Sequence, residues 1–493
     1  MLVQDAIPHF MFRVCRYPAD VSARVRKYVE LVFASVVLIC ALVNLFGSVA
    51  RARVSYQLNY EEGNILNTAD RILQGLSPYP DPHGWPSVIN PYGPIPYYLV
   101  SAVVRIWGLS FFPSRLLIVL CTCLIAIVIA ALVRRWGGSW LAGIAFAALY
   151  LCDPVVQDWT GLLRVDLIAL LFTLAGLFVF ATQPRRWWPS ALLFVAALFC
   201  KYTMLAAPAA CVTWLLFQHD WRGALRAVVF ASVLSVAAFA VIQWATHSWF
   251  AFYMFHTHPD PFLLRQYLDG IADAAKGNAL LLVLCAVLLV HDLRLRRPSV
   301  PLLYLLFSVI GAVTMGKAGS DTNHLLELTA ATCLAAGAVW SVLWEIPAPK
   351  PRWAATALAL LLAILAIRHA TEVGFEGPYP GCEPAYAFVR AHPGKNFLSE
   401  NLGAVVMAHH PLLISNPFVY TQLVEYGGWS DQSLQQQIRD PYYDLIIMNT
   451  EPAQEWSDEV IAALREHYVP VAHFNCELAE QMWEPMRPVE KRP

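Results

Sequence analysis

Charge is what this 493-residue sequence has least of: Asp, Glu, Lys and Arg make up 14% of it, against roughly 25% in an ordinary soluble domain. Apolar residues reach 58%, with 17 Trp among them. This balance argues against a water-soluble globular protein and for a polytopic α-helical membrane protein, whose lipid-facing helices leave little room for charge. The formal net charge is −1, so nothing draws the chain to nucleic acid and no such partner is expected. Zinc-ligand spacing is missing among the 11 cysteines; most stand alone inside apolar segments, where they act as small hydrophobes. No internal repeat is visible either.

Apolar stretches predict membrane spans at about 29–50, 113–133, 139–156, 163–182, 187–200, 203–218, 224–246, 277–292, 299–315, 323–344 and 353–369, that is, about 11 transmembrane helices. Residues 1–28 are mildly basic (Arg13, Arg16, Arg24, Arg26, Lys27) and read as a cytoplasmic segment before a signal anchor. With that orientation, Arg134-Arg135, Arg185-Arg186, Arg222 with Arg226, Arg294 with Arg296 and Arg297, and Lys350 with Arg352 all fall on the cytoplasmic side, as the positive-inside rule requires. The threading needs "PIPYYLVSAVVRIWGL", 94–109, to lie in the outer interface without crossing.

The ionisable residues that are odd for a membrane protein then gather at the outer face. They are Glu61 and Glu62 in "YEEG", Arg164 and Asp166 in "RVD", Lys201 in "FCKYTM", His256, His258 and Asp260 in "FHTHPDP", and Lys317, Asp321, Asn323, His324 and Glu327 in "MGKAGSDTNHLLEL". A charge at membrane depth costs about 2.5–3.5 kcal/mol on insertion scales. Several on one side call for a shared aqueous cavity, a ligand or mutual pairing.

From about 371 the chain becomes polar, with turns at Pro378, Pro380 and Gly381 and strand-like runs "AVVMA", "LLIS", "YDLIIMN" and "YVPVAHF" around a helical pattern at 458–467. This predicts a small periplasmic α/β domain over 371–493, after a transmembrane catalytic domain over 29–370. Cys382 and Cys476 are its only cysteines and make a candidate disulfide in an oxidising compartment.

An adjacent Glu-Glu pair is most often a solvated loop feature, but this pair follows the first span directly, ahead of an amphipathic helical pattern "NILNTADRIL". Neighbouring carboxylates repel, which raises at least one pKa, and a carboxylate at the membrane edge suits a general base. Glu62 is favoured for that role, with Glu61 the alternative. Arg164 and Asp166 stand two apart and cannot form a simple intrahelical pair; they either snorkel and cap or organise the pocket. Lys201, with apolar residues on both sides, suits a lipid phosphate. "GAVTMGKA", 311–318, imitates a phosphate-binding P-loop but has Ala318 in place of the magnesium-binding Ser/Thr and ends an apolar span, so a nucleotide site is rejected. His256, His258 and Asp260 are ligand types, yet Pro259 and Pro261 mark an irregular loop and no metal residue is assigned. Asp-x-Asp, the metal–nucleotide-sugar signature of soluble glycosyltransferases, is absent. No cofactor is expected, with a divalent metal left open.

In order along one membrane face, "YEEG", "NPYGPIPYYLVSAVVRIWG", "RVD", "KYTMLAAP" and "GSDTNHLLE" resemble the GT-C glycosyltransferases, in particular protein O-mannosyltransferases and the lipid A aminoarabinose transferase. The resemblance covers about 30–345. It implies a catalytic base in the first outer loop, here Glu61 or Glu62, and a basic residue near Lys201. It also implies a polyprenyl-phosphate sugar used at the outer face of a bacterial inner membrane, with a glycan, lipid or protein as acceptor. The Glu-Glu form departs from the usual Asp-Glu or lone Asp. On this reading Lys201, Arg164 and Lys317 hold the donor phosphate, and Tyr60, Tyr92, Tyr97, Asp166, Tyr202, His258, Asp321, Asn323, His324 and Glu327 bind substrate, with Tyr92, Tyr97 and Tyr98 lining a prenyl groove. A rival from another class is a transporter or flippase of a lipid-linked sugar, which would place charges near mid-membrane, often on repeated broken helices. A third is a silent scaffold presenting the C-terminal domain.

Overall fold

The computed structural model describes residues 19–184, 186–247, 249–345, 349–372, 381–450, 455–476 and 478–486. Arg13 and Arg16 of the expected N-terminal segment, Arg185, the Lys350 side chain, Pro378 and Pro380 lie outside the described residues.

Every predicted span carries a helix. In chain order the helices are α1 (Ala19–Ala52), α2 (Tyr60–Leu73), α3 (Pro94–Trp107), α4 (Phe111–Arg135), α5 (Trp140–Cys152), α6 (Pro154–Trp159), α7 (Asp166–Thr182), α8 (Trp187–Leu198) and α9 (Ala206–Phe217). There follow α10 (Trp221–Ala245), α11 (Phe250–Phe255), α12 (Leu264–Gly277), α13 (Ala279–Leu295) and α14 (Val300–Gly311), then two 3-10 turns, Ala312–Gly316 and Thr322–Leu325, then α15 (Leu326–Glu345) and α16 (Pro349–Glu372). Five described segments are long and apolar enough to cross a bilayer alone, or six if α12 and α13, bent by 88°, count as one. The chain is thus a polytopic helical membrane protein.

The helices that fall short do so for a reason visible in their ends. Helix α7 begins at Asp166, α8 and α9 break around Lys201, and α14 gives way to a 3-10 turn before Lys317. At about 1.5 Å per residue, these segments stop short of the roughly 30 Å hydrocarbon layer where polar groups enter the bundle. Helix α15 is the central member, 89% of its apolar window buried. Its run of Ala330, Ala331, Ala335, Ala336 and Gly337 lets Val133 and Phe146 approach closely, the small-residue packing on which membrane bundles rely. Helix α10, with only 6% of its window buried, faces outward along its length. Helix α5 packs between α1 and α4, α7 between α4 and α8, and α9 on α14.

The stretch 94–109 forms α3, which packs against α2, buries Tyr97, Val100 and Val104 and leaves Ile106 and Trp107 exposed. Gly93 lets the chain pass the turn before Lys201: a Cβ there would sit 2.0 Å from the Phe199 carbonyl oxygen.

Residues 381–486 add α17 (Cys382–Ala391), β1 (Phe397–Ser399), α18 (Leu402–Met407), α19 (Pro417–Glu425), α20 (Gln432–Arg439), β2 (Leu445–Asn449), α21 (Asp458–His467), β3 (Tyr468–Asn475) and β4 (Ala479–Pro485). The four-stranded sheet has order β1-β2-β4-β3, parallel between β1 and β2 and antiparallel elsewhere. Two expected strands are corrected. "AVVMA" is helical, because Asn401 accepts a hydrogen bond from the Ala404 N–H and starts α18. "LLIS" makes only an isolated bridge, Ile414 to Ser87.

Cys382 and Cys476 form a disulfide that ties α17 to the residue after β3, across a sequence separation of 94. A loop of that length is worth about 4–5 kcal/mol in the chain-entropy model. Replacing both cysteines by Ala is therefore expected to lower the unfolding temperature of this region clearly, read by thermal unfolding of the purified full chain. An unchanged transition would show the region to be held by packing alone.

Candidate active site

The glutamates do not lie in a loop ahead of a helix; they are in its first turn. Asn59 caps α2, its Oδ1 accepting from the Glu61 N–H at 3.3 Å, while Glu62 Oε2 accepts from the Asn59 N–H at 3.2 Å. Successive helical residues diverge by about 100°, so the two carboxylates face different surroundings.

Glu62 faces the protein. Its oxygens take a bidentate pair from Arg115 (Nε to Oε1, 2.7 Å; Nη2 to Oε2, 2.6 Å) and the N–H groups of Leu58 and Leu163, both at 2.7 Å. Arg115 also donates from Nη1 to the Val54 carbonyl and from Nη2 to the Tyr56 carbonyl, and both side chains of the pair have 0% exposure. This ion pair joins α2, α4 and the 54–58 and 163 segments. Breaking such a buried pair costs about 3–5 kcal/mol. Glu62→Gln and Arg115→Gln are therefore expected to lower the thermal stability of the detergent-solubilised protein markedly. A stable Glu62→Gln protein that lacks activity would contradict this structural placement.

Glu61 faces a cavity of about 180 Å³ that opens at one end of the bundle. It accepts from Asn64 Nδ2 at 3.3 Å and from Asn416 Nδ2 at 2.5 Å, leaving lone pairs unused on both oxygens. Burial raises its pKa, opposed by Arg164 and by the two amide donors. Gly63 completes the explanation of "YEEG": a Cβ there would lie 2.6 Å from the Gly403 nitrogen, so α2 and α18 meet only because it is absent. Asn416, which reaches Glu61, is the N-cap of α19.

Of the residues singled out in the sequence, Tyr60, Glu61, Tyr92, Arg164, Lys201, Tyr202, His258, Lys317, Asp321, Asn323 and His324 line this cavity. Asp166 stands directly behind it, its Oδ1 accepting from Lys201 Nζ at 2.5 Å and from Asn323 Nδ2 at 2.9 Å. The Lys201 ammonium is thereby steered with one of its three protons. Arg164 bonds Asn59 Oδ1 and the Tyr92 hydroxyl, both at 3.0 Å, and sits over the rings of Tyr60, Tyr92 and Trp159. The rings hold the guanidinium by cation–π attraction, and its Nε lies 3.7 Å from Asp166 Oδ2, so Asp166 is shared between Arg164 and Lys201. Lys317 reaches the His258 carbonyl at 3.5 Å; its loop is pinned by Gln266, whose Nε2 donates to the carbonyls of Met315, Lys317 and Ser320.

Other expected residues fall elsewhere. Tyr97 is fully buried against Tyr79 and does not reach the cavity, and Tyr98 is half-exposed on α3. Glu327 borders a small side chamber that shares Lys201, Asn323 and His324 with the main cavity. His256 stacks on Phe252, away from His258, and among the described residues no three His, Cys, Asp or Glu side chains converge as a ligand set. Burial pushes the His258 pKa down to about 4, so its imidazole is neutral near pH 7. The residues not anticipated are Arg115, Asn59, Asn64, Trp159 and Asn416. Arg115, an arginine just inside the apolar run "FFPSRLLIVL", carried a signal; Asn416, 355 positions from Glu61, carried none.

The arrangement sets Glu61, a carboxylate with spare acceptor capacity, in one cavity with three cations, Arg164, Lys201 and Lys317, and with two further carboxylates, Asp260 and Asp321. It suits removal of a proton from a neutral group while an anion is held opposite. The model of the family dolichyl-phosphate-mannose-protein mannosyltransferase matches residues 90–250. There is no match among curated protein sequences. In three dimensions the chain is similar to ArnT from Cupriavidus metallidurans bound to undecaprenyl phosphate, with TM-score 0.63 and 14% identity, covering 94% of this chain and 98% of that one. It is also similar to the archaeal oligosaccharyltransferase AglB from Archaeoglobus fulgidus, in complex with an inhibitory peptide and a dolichol-phosphate, with TM-score 0.52 and 12% identity over 95% of this chain and 75% of that one.

Proposed function

Because the chain carries the GT-C fold of membrane glycosyltransferases, we propose that it moves a sugar from a polyprenyl-phosphate donor to an acceptor hydroxyl, with inversion at the anomeric carbon. The observation that supports this most is the placement of Glu61 and Lys201 in one cavity. A phosphodiester-linked sugar already has a good leaving group, so one base suffices, in contrast to the two carboxylates of glycosidases. Glu61, not Glu62, takes the proton of the acceptor O–H as that oxygen attacks the anomeric carbon from the face opposite the leaving group. The bond from the anomeric carbon to the phosphate oxygen breaks, and its electron pair leaves on the polyprenyl phosphate. Lys201, aimed by Asp166, and Arg164 with Lys317 stabilise the growing phosphate charge. Glu61 then returns its proton to water. Asn323, His324, Tyr92 and His258 are placed to bind the sugar.

On this reading all eleven apolar helices cross or enter the membrane, α3 lies in the interface, and the arginine-rich helix ends face the cytoplasm. The cavity and the 371–493 domain then face the periplasm of a bacterial inner membrane, where a disulfide is stable. A flippase is disfavoured because the ionisable groups crowd one end of the bundle. Mass spectrometry of surface glycans from cells with and without the gene tests the proposal: loss of one sugar substituent, restored by the wild-type chain but not by Glu61→Gln, is the expected result. An unchanged glycan profile would overturn it.

A further inference from the structure

A second cavity, about 350 Å³, lies at the other end of the same helices. It is enclosed by the last residues of α4, α7, α9 and α13, the start of α14 and the end of α15. Asn323, ahead of α15, borders the reaction cavity, and Val342 near its end borders this one. At about 1.5 Å per residue the two are separated by roughly 30 Å, the thickness of the hydrocarbon layer. The second cavity therefore stands at headgroup level in the opposite leaflet.

Its walls are apolar and aromatic: Trp136, Phe180, Trp214, Leu288 and Leu295. At the mouth are Arg135 and Arg297, and among the described residues neither guanidinium has an ion-pair partner. The one carboxylate present, Asp292, is committed to the Ser299 N–H at 2.7 Å and to His291 Nδ1 at 3.2 Å. Ser299 Oγ is buried there without a partner. An apolar chamber accepts hydrocarbon, and two unpaired cations at its mouth accept an anion. A ligand carrying both, at headgroup level, is a phospholipid.

We propose that this cavity binds one anionic phospholipid of the leaflet opposite the reaction site, its phosphate between Arg135 and Arg297 and an acyl chain along Trp136, Phe180 and Trp214. The proposal rests on the bundle spanning a membrane and stands whether or not the chain transfers a sugar. The test is native mass spectrometry of the full-length protein in mild detergent after exposure to equal amounts of phosphatidylglycerol and phosphatidylcholine. The wild-type protein is expected to retain one phosphatidylglycerol in preference to phosphatidylcholine, and millimolar inorganic phosphate is expected not to displace it. Arg135→Gln with Arg297→Gln should weaken retention about 30-fold, from the worth of two juxtamembrane charges, while Arg135→Lys with Arg297→Lys should keep it within a few-fold. Equal retention of both lipids by the wild type, unchanged retention in the double Gln variant, or complete displacement by inorganic phosphate would each overturn it.

Discussion

Glu61→Gln is expected to lower sugar transfer at least a hundredfold while leaving the melting temperature within a degree or two of wild type. General-base removal costs about 10²–10⁴ in rate, and the amide fills the space of the carboxylate without a basic lone pair. The pH profile makes the prediction sharper. Burial raises the Glu61 pKa, so the carboxyl is protonated and useless as a base below that value, and activity climbs as pH rises through it. The acid limb of kcat/KM should lie above the ordinary glutamate range and vanish from the residual activity of Glu61→Gln. Glu62→Gln should behave in the opposite way, losing stability before specific activity. Wild-type turnover in Glu61→Gln, or an acid limb that survives it, would remove Glu61 as the base.

Lys201→Met is the second large effect, with an expected loss of about 10²–10³ in kcat, the range for deleting one preorganised charge-stabilising donor. The substitution also takes the nearer of two cations from Asp166, a buried carboxylate whose Oδ2 has no hydrogen bond and lies 3.7 Å from Arg164 Nε. Loss of that ion pair lowers stability as well as rate. Pairing Lys201→Met with Asp166→Asn separates the two effects, because it removes both members of the Lys201–Asp166 ion pair. The double variant should recover the melting temperature and stay inactive; Lys201→Arg should keep both charge and part of the rate. A double variant that regained both stability and turnover would show Lys201 to be a structural partner of Asp166 with no contact to the leaving phosphate.

Most of the helical fold is legible in hydrophobicity, since a long apolar stretch that crosses lipid is a helix, and α21 falls on the 458–467 pattern. Strand positions were less legible. "AVVMA" has β-branched residues, but Asn401 ahead of it caps a helix, and local capping outweighed propensity. Which of two neighbouring glutamates faces the cavity depends on the phase of α2, and the phase depends on where the helix begins. Asn59 with Glu62 three residues later is a readable capping pattern; it would have turned Glu62 inward and Glu61 outward. The partners that fix each carboxylate, Arg115 and Asn416, come from distant segments, and pairings of that kind are set by tertiary packing that no local pattern records.

The claim on which the rest depends is that the carboxylate and the cations share one cavity open to the side away from the arginine-rich helix ends, and that a lipid phosphate enters it. A single cysteine at Ser320, on the cavity lining, examined with a membrane-impermeant maleimide in spheroplasts and in inverted vesicles, tests this most directly. The account predicts labelling in spheroplasts, none in inverted vesicles, and protection by added polyprenyl phosphate. Labelling confined to inverted vesicles, or labelling that the lipid phosphate leaves unchanged, would contradict it.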